Sequence, residues 1–368
     1  MKIAYDHQIF GWQRFGGISR YFFELANHVA NDEVAKIKTQ IVSPLHVNDY
    51  LKHAGKSLQI KGLHVPAIRR TGRIYRLINE QLAPMLMRGW RPDILHETYY
   101  SKTSVAPLGC KTVLTVFDMI HELYPDFFAK WDPTKDEKRA AVARADHIIC
   151  ISENTRQDLI RILGVPAEKT TVVYLGFALT PSQAVTLPEP HKPFLLFVGS
   201  RGGYKNFNSL LEAYSSRSAL KDNFDLVAFG GGVFSAKEQG LIADLGLSMS
   251  QVRQMSGDDG ILAALYRQAT LFVYPSLYEG FGIPPLESMS FGCPVVCSNT
   301  SSIPEVVGNA AVLFDPHQSS LIADALETVT SNKALLTNLR QRGRARVELF
   351  SWQECAKQTL EVYRKVLQ

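Results

Sequence analysis

Short apolar, β-branched runs recur along this chain with helix-period sequence between them, and few architectures accept that alternation. The runs in the first half are "KIAYD" (2–6), "TQIVS" (39–43), "DILH" (93–96), "KTVLTVF" (111–117), "DHIICIS" (146–152) and "TTVVYL" (170–175). Those in the second half are "PFLLFVG" (193–199), "FDLVAFG" (224–230), "TLFVYPS" (270–276), "PVVCS" (294–298) and "AAVLF" (310–314). Segments such as "ENTRQDLIRILG" and "DGILAALYRQA" carry helical periodicity. Strands that are apolar throughout, rather than on alternate residues, belong in parallel sheets covered by helices on both faces. The chain of 368 residues is long enough for two such domains. Residues 180–193, "TPSQAVTLPEPHKP", break the pattern with four prolines and read as a linker. The expectation is therefore an α/β protein with a doubly wound domain at 1–180, a second at 181–350, and a cleft between them. Ser351 and Glu354 have capping-box spacing, so a terminal helix is expected over 351–368, packing back on the first domain.

Composition excludes several classes. Apolar residues make up 46% and charged residues 20%, an ordinary globular balance, and no apolar run approaches the roughly 20 residues of a membrane span. Asp6 and His7 interrupt the place where a signal peptide needs its apolar stretch. Five scattered cysteines, without a matching His or Cys cluster, read as reduced structural thiols. A cytoplasmic protein is expected. Residues 1–180 hold 24 Lys+Arg against 18 Asp+Glu, whereas the remainder is nearly balanced. Much of the excess lies between Ala67 and Pro92, where Arg69, Arg70, Arg73, Arg76, Arg88 and Arg91 meet only Glu80 among interleaved apolar residues. That stretch is either a solvated helix face with extended arginine stems or a peripheral surface for anionic lipid at the inner face of the plasma membrane. No nucleic-acid signature is present.

The chemistry concentrates in "YPSLYEGFGIPPLESMSFGCPVV" (274–296). A strand precedes Glu279-Gly280-Phe281-Gly282, and a helix with proline at its start follows. Ligands of open α/β sheets bind beyond the C-terminal ends of the strands. Helix N–H groups there favour phosphate, and glycines let the backbone approach closely. Glu279 can accept from one set of hydroxyls and Glu287, about a turn into the helix, from another. A ligand with sugars on both sides of a phosphate would use all of these groups. Spacing alone leaves equally open a capped helix with two solvated glutamates. A second strand-to-helix loop, "GSRGGYKN", offers Arg201 and Lys205 to a diphosphate. It matches neither a P-loop nor the dinucleotide fingerprint, and a surface turn would look the same. A third, "RFGGISRYFFELA", places Gly16 and Gly17 before a helix.

Together with "ISENTRQDLI", "ALYRQATLFV" and "SWQECAKQTLEVY", these segments resemble retaining glycosyltransferases of family 4 over essentially the whole chain. The resemblance implies the GT-B fold of two Rossmann-like domains, an acceptor-binding N-terminal half and a nucleotide-sugar-binding C-terminal half. It implies that Glu279 holds donor-sugar hydroxyls, that the Phe281 and Gly282 amides, beside Gly280, face the sugar and diphosphate, and that Glu287 holds the ribose. Arg201 and Lys205 would neutralise the leaving diphosphate, and Gly16 and Gly17 would let the N-terminal loop approach it. The family places a histidine at the end of a central N-domain strand. This chain has Phe117 there, before Asp118, which leaves His121 as the candidate substitute; an Asp118 that only caps a turn and a surface His121 are the plain alternative. Tyr204 stands where many relatives have arginine. With no Asp-x-Asp in the sequence, no metal cofactor is expected. The resemblance favours mannosyl transfer from GDP-mannose to a glycan or lipid-linked acceptor in surface-polysaccharide synthesis. Other GDP- or UDP-sugars, a GT-B epimerase or phosphorylase, and a non-catalytic sugar-nucleotide binder are the alternatives.

Overall fold

The computed structural model describes residues 1–32, 37–68, 71–177 and 185–368, and divides into two compact units. The first unit comprises Met1–Gly176 with Ser351–Gln368, and the second Phe177–Phe350. Arg69, Arg70 and the start of the proline-rich segment, residues 180–184, lie outside the described residues.

The first unit contains β1 (Lys2–Tyr5), β2 (Lys38–His46), β3 (Leu58–His64), β4 (Ile94–Glu97), β5 (Lys111–Val116), β6 (His147–Cys150) and β7 (Thr170–Val172). They form one parallel sheet in the order β3-β2-β1-β4-β5-β6-β7. The second contains β8 (Phe194–Val198), β9 (Asp225–Phe229), β10 (Val252–Met255), β11 (Leu271–Tyr274), β12 (Val295–Ser298) and β13 (Ala311–Phe314). Their parallel order is β10-β9-β8-β11-β12-β13. In each unit the chain winds outward from one central strand and then restarts beside it, between β1 and β4 and between β8 and β11. Connections leave in opposite directions at such a switch, which opens a crevice at the C-terminal ends of the two strands.

All eleven strands expected from sequence are present. Two more, β3 and β10, were not foreseen. Both are edge strands, and their sequences "LQIKGLH" and "VRQM" lack the continuous apolar run because fewer neighbours bury them. The Trp352–Val366 helix belongs to the first unit and packs on the Gly17–Ala30 helix. Its N-cap Ser351 accepts from the Glu354 N–H at 3.1 Å. Its Tyr363 hydroxyl reaches the Tyr5 hydroxyl at 3.1 Å and His96 Nδ1 at 2.6 Å, all fully buried. All five cysteines are free, and burial pushes the thiols of Cys110, Cys150, Cys293 and Cys355 up to about 12.

Candidate active site

In the second unit, β8 and β11 are neighbours in the sheet, so the loops that leave their C-terminal ends lie side by side. The Leu277 N–H donates to the Tyr204 carbonyl at 2.8 Å and joins the two loops. Asn206, in the left-handed conformation at φ 58°, turns the first loop into the Phe207–Ser216 helix. Its amide donates to the carbonyls of Pro275, 3.1 Å, and Pro316, 2.8 Å. Across this frame Lys205 Nζ meets Glu279 Oε1 at 2.7 Å, with both side chains mostly buried. A third loop supports the second: Ser301 Oγ accepts from the Glu279 N–H at 2.9 Å, and the Ser302 hydroxyl is 2.8 Å from the carbonyls of both Glu279 and Phe281.

Each glutamate has a buried tyrosine behind it. Burial and then the nearby Glu279 carboxylate hold the Tyr274 hydroxyl well above its ordinary pKa. Burial and then Glu287 do the same to Tyr266, whose hydroxyl lies 3.4 Å from Glu287 Oε2. Protonated tyrosines can donate to these carboxylates and help orient them. Gly282, at φ 117°, caps the Ile283–Ser290 helix. Pro284 and Pro285 remove two N–H groups from its first turn, so anion-directed donors there come from the backbone up to Ile283.

Arg201 reaches the loop after β9. Its side chain is 3% exposed, and Nε, Nη1 and Nη2 each donate within the protein. Nε donates to Glu238 Oε1 at 2.7 Å, Nη1 to the Gly230 carbonyl at 2.7 Å and Nη2 to the Val233 carbonyl at 3.2 Å. The guanidinium also lies over the Phe234 ring, 4.6 Å from its centroid. Gly231, at φ 69°, has no room for a side chain here, since a Cβ would stand 2.7 Å from Arg201 Nη1. Arg201 therefore clamps the loop after β9, and Lys205 is the expected cation that faces Glu279.

The first unit has a cavity of about 1240 Å³ at its own switch point. It is walled by His7 and Trp12 after β1, Tyr99 after β4, the Gly72–Trp90 helix and residues 131–134. Trp12 and Tyr99 form a tilted ring pair, 5.5 Å between centroids, and Trp131 is exposed. His7 Nδ1 is buried with no partner among the described residues, and burial lowers the pKa of its ring. Sequence reasoning missed this wall because its residues come from four separate segments that share no motif.

Asp118 and His121 do not line that cavity. Asp118 Oδ1 accepts from the Ile120 N–H at 3.1 Å, which is the turn-capping alternative. The fully buried Lys138 Nζ donates to the Asp118 carbonyl, 2.9 Å, and to Glu122 Oε2, 2.8 Å. His121 stacks on Phe128 at 3.9 Å and places Nε2 3.8 Å from Asp132, itself a cavity residue. Burial and then the Lys138 charge lower its pKa. Phe117, where the family histidine would stand, is a core aromatic packed on Tyr21 and Phe22. Gly16 caps the Gly17–Ala30 helix with an extended φ of 172°, and Gly17 has open space around it.

Two Rossmann-like units, the second with a cation–carboxylate pair and a glycine-capped helix at its switch point, define a GT-B glycosyltransferase. Residues 15–180 match the model for Glycosyltransferase Family 4 and residues 181–346 that for Glycosyl transferases group 1. The chain belongs to this glycosyltransferase family and is an enzyme of that class. It is 29% identical over 304 residues to O-antigen chain mannosyltransferase B of Escherichia coli, covering 79% of each chain. It is 30% identical to the serotype-specific mannosyltransferase WbdA of Escherichia coli over 70% of this chain, and spans about a third of WbdA's length. Sucrose-phosphate synthase from Thermosynechococcus elongatus shares the fold, with a TM-score of 0.75 at 19% identity over 99% of this chain and 98% of that one.

Proposed function

We propose that the protein is a retaining mannosyltransferase that moves mannose from GDP-mannose to the end of a glycan in surface-polysaccharide assembly. The observation that carries the donor half is the Lys205–Glu279 pair at the switch point of the second sheet. Cleaving the bond between the anomeric carbon and the diphosphate places positive charge on the sugar and negative charge on the leaving group. A donor that enters between the two side chains gives its diphosphate to Lys205 and its sugar hydroxyls to Glu279, and Glu287 takes the ribose. Preorganised charge of this kind lowers the barrier. The acceptor hydroxyl attacks the face that the diphosphate leaves, and its proton passes to a phosphate oxygen of the leaving group. The products are the mannosylated glycan and GDP. Mannose and the polysaccharide setting are supported by the printed functions of the relatives in Escherichia coli.

The cavity of the first unit suits a neutral saccharide as acceptor. Its rings offer stacking surfaces, while Arg73 and Arg76 are outnumbered by Glu80, Asp132 and Glu137. Arg76 is already paired with Glu80 at 2.8 Å and Glu137 at 3.4 Å, so among the described residues the wall has no excess of cations for a phosphorylated acceptor. The sequence lacks Asp-x-Asp, and among the described residues no group of three or more His, Cys, Asp or Glu could hold a metal ion. Lys205 and the loop amides take that part in this reading.

Release of nucleoside diphosphate from GDP-mannose and from UDP-sugars, with a mannose-ended oligosaccharide, in EDTA, tests the reading. Acceptor-dependent GDP release and an α-linked product by NMR are expected. Faster turnover of a UDP-sugar overturns the donor, a β-linked product overturns retention, and a loss in EDTA that Mg²⁺ restores overturns the metal-free account.

A further inference from the structure

The Gly72–Trp90 helix is apolar on two opposite faces. Asn79, Ala83 and Met87 are buried toward the sheet, where the helix packs on β2. On the other side Ile74, Leu77, Leu82, Met85 and Leu86 recur at the spacing of a single helical face and remain exposed, Leu77 by 62% and Met85 by 66%. Ile68, in the segment that leads into the helix, is exposed as well. Nothing among the described residues covers this face. Arg73 and Arg88 are exposed on the same helix, and Arg91 follows its end. Its only acidic residue, Glu80, is tied to Arg76. Arg76 is paired with Glu80 and Glu137 and lines the cavity, as Arg73 does.

We propose that this outer face lies on a lipid bilayer that carries anionic headgroups. An exposed apolar stripe flanked by arginines, with no unpaired carboxylate on the helix, is complementary to such a surface in both polarity and charge. Nineteen residues make a helix of about 28 Å, and no described helix is long and apolar enough to cross a membrane, so it rests in the plane of the interface. The same helix contributes Arg73, Arg76, Asn79, Glu80 and Pro84 to the cavity wall. A bilayer against its outer face would therefore bring that cavity near the membrane surface. The proposal stands apart from the choice of donor.

Sedimentation with vesicles of phosphatidylcholine, with and without phosphatidylglycerol, tests it. The wild type is expected to sediment with the anionic vesicles at low salt and to be released by high salt. Leu77→Ser with Met85→Ser, and separately Arg88→Glu, should each weaken binding by about tenfold. The altered side chains are exposed, so circular dichroism and melting temperature should be unchanged, and transfer to a soluble acceptor should persist. Failure of the wild type to bind anionic vesicles at low salt overturns the proposal. So does undiminished binding by the variants, or equal binding to both vesicle types. A wild-type dimer that Leu77→Ser with Met85→Ser dissolves, seen by sedimentation velocity without vesicles, would instead assign the face to a second copy of the chain.

Discussion

The two units share a winding rule and differ in how they furnish the crevice it creates. In the second unit the ionic groups at the switch point sit on two adjacent loops and face each other as Lys205 and Glu279. In the first, four segments of chain wall a broad cavity. One charge pair, Lys138 with Glu122, is buried beside that cavity and holds the loop after β5. Topology places both sites. In the proposed function only the donor side concentrates its chemistry in a short motif, because a diphosphate demands charge and close backbone at fixed spacing, whereas a sugar chain accepts many stacking and hydrogen-bonding walls.

This contrast can be broken or sharpened by measurement. Lys138→Met should be the most damaging change. It leaves Glu122, whose side chain is 2% exposed, without its cation, at a cost of about 3–5 kcal/mol of stability. Urea unfolding checks it, and a loss below 1 kcal/mol would mean that the pair does not hold the first unit. Glu279→Gln should lower kcat about a hundredfold, equivalent to about 2.7 kcal/mol, with little change in melting temperature. Retained turnover would remove the carboxylate from the donor site.

Acid should separate the units next. Burial lowers His96 to about 3, and it lowers His46 and His147 to about 4; all three lie in the first unit. Each is neutral when folded and gains a proton more readily when unfolded. Their stabilising contribution is therefore complete above the unfolded pKa of about 6.5 and is lost as pH falls toward 4 or 3. His96 alone should cost about 2 kcal/mol between pH 7 and pH 5. Hydrogen exchange should show the first unit opening before the second over that range, and simultaneous opening would contradict this. The smallest effect is expected of Glu287→Ala, about a tenfold loss of affinity for the nucleoside diphosphate by calorimetry. Unchanged affinity would take the ribose away from Glu287.

Much of this was legible in sequence, for identifiable reasons. Central strands are buried on both faces and announce themselves as apolar runs, which is why β3 and β10 at the edges escaped. Glu279, Lys205 and Glu287 sit on loops and helix ends whose positions follow directly from strand order. Arg201 pairs with the Glu238 carboxylate 37 residues along the chain, a contact that a cation in a glycine loop does not announce in sequence. Lys138 lies in the polar "TKDEKRAAVAR" segment, where nothing distinguishes the one buried lysine from its solvated neighbours. Tyr274 and Tyr266 read as ordinary core residues, and only tertiary contact shows that they stand behind the two glutamates.

The Trp352–Val366 helix sets an order of events during synthesis. Tyr363 completes the buried group formed with Tyr5 and His96, and a Cβ at Gly176 would stand 2.4 Å from the Trp352 backbone nitrogen, so that helix is seated tightly in the first unit. Yet residues 351–368 leave the ribosome only after all of the second unit. Domains otherwise tend to fold in the order in which they are made. Here the unit begun first is finished last. Until then its nascent core exposes the side of the Gly17–Ala30 helix that the later helix will cover. A chain that stalls or is truncated near residue 350 would carry a complete second unit and an unsealed first one, a ready mark for chaperones and proteases.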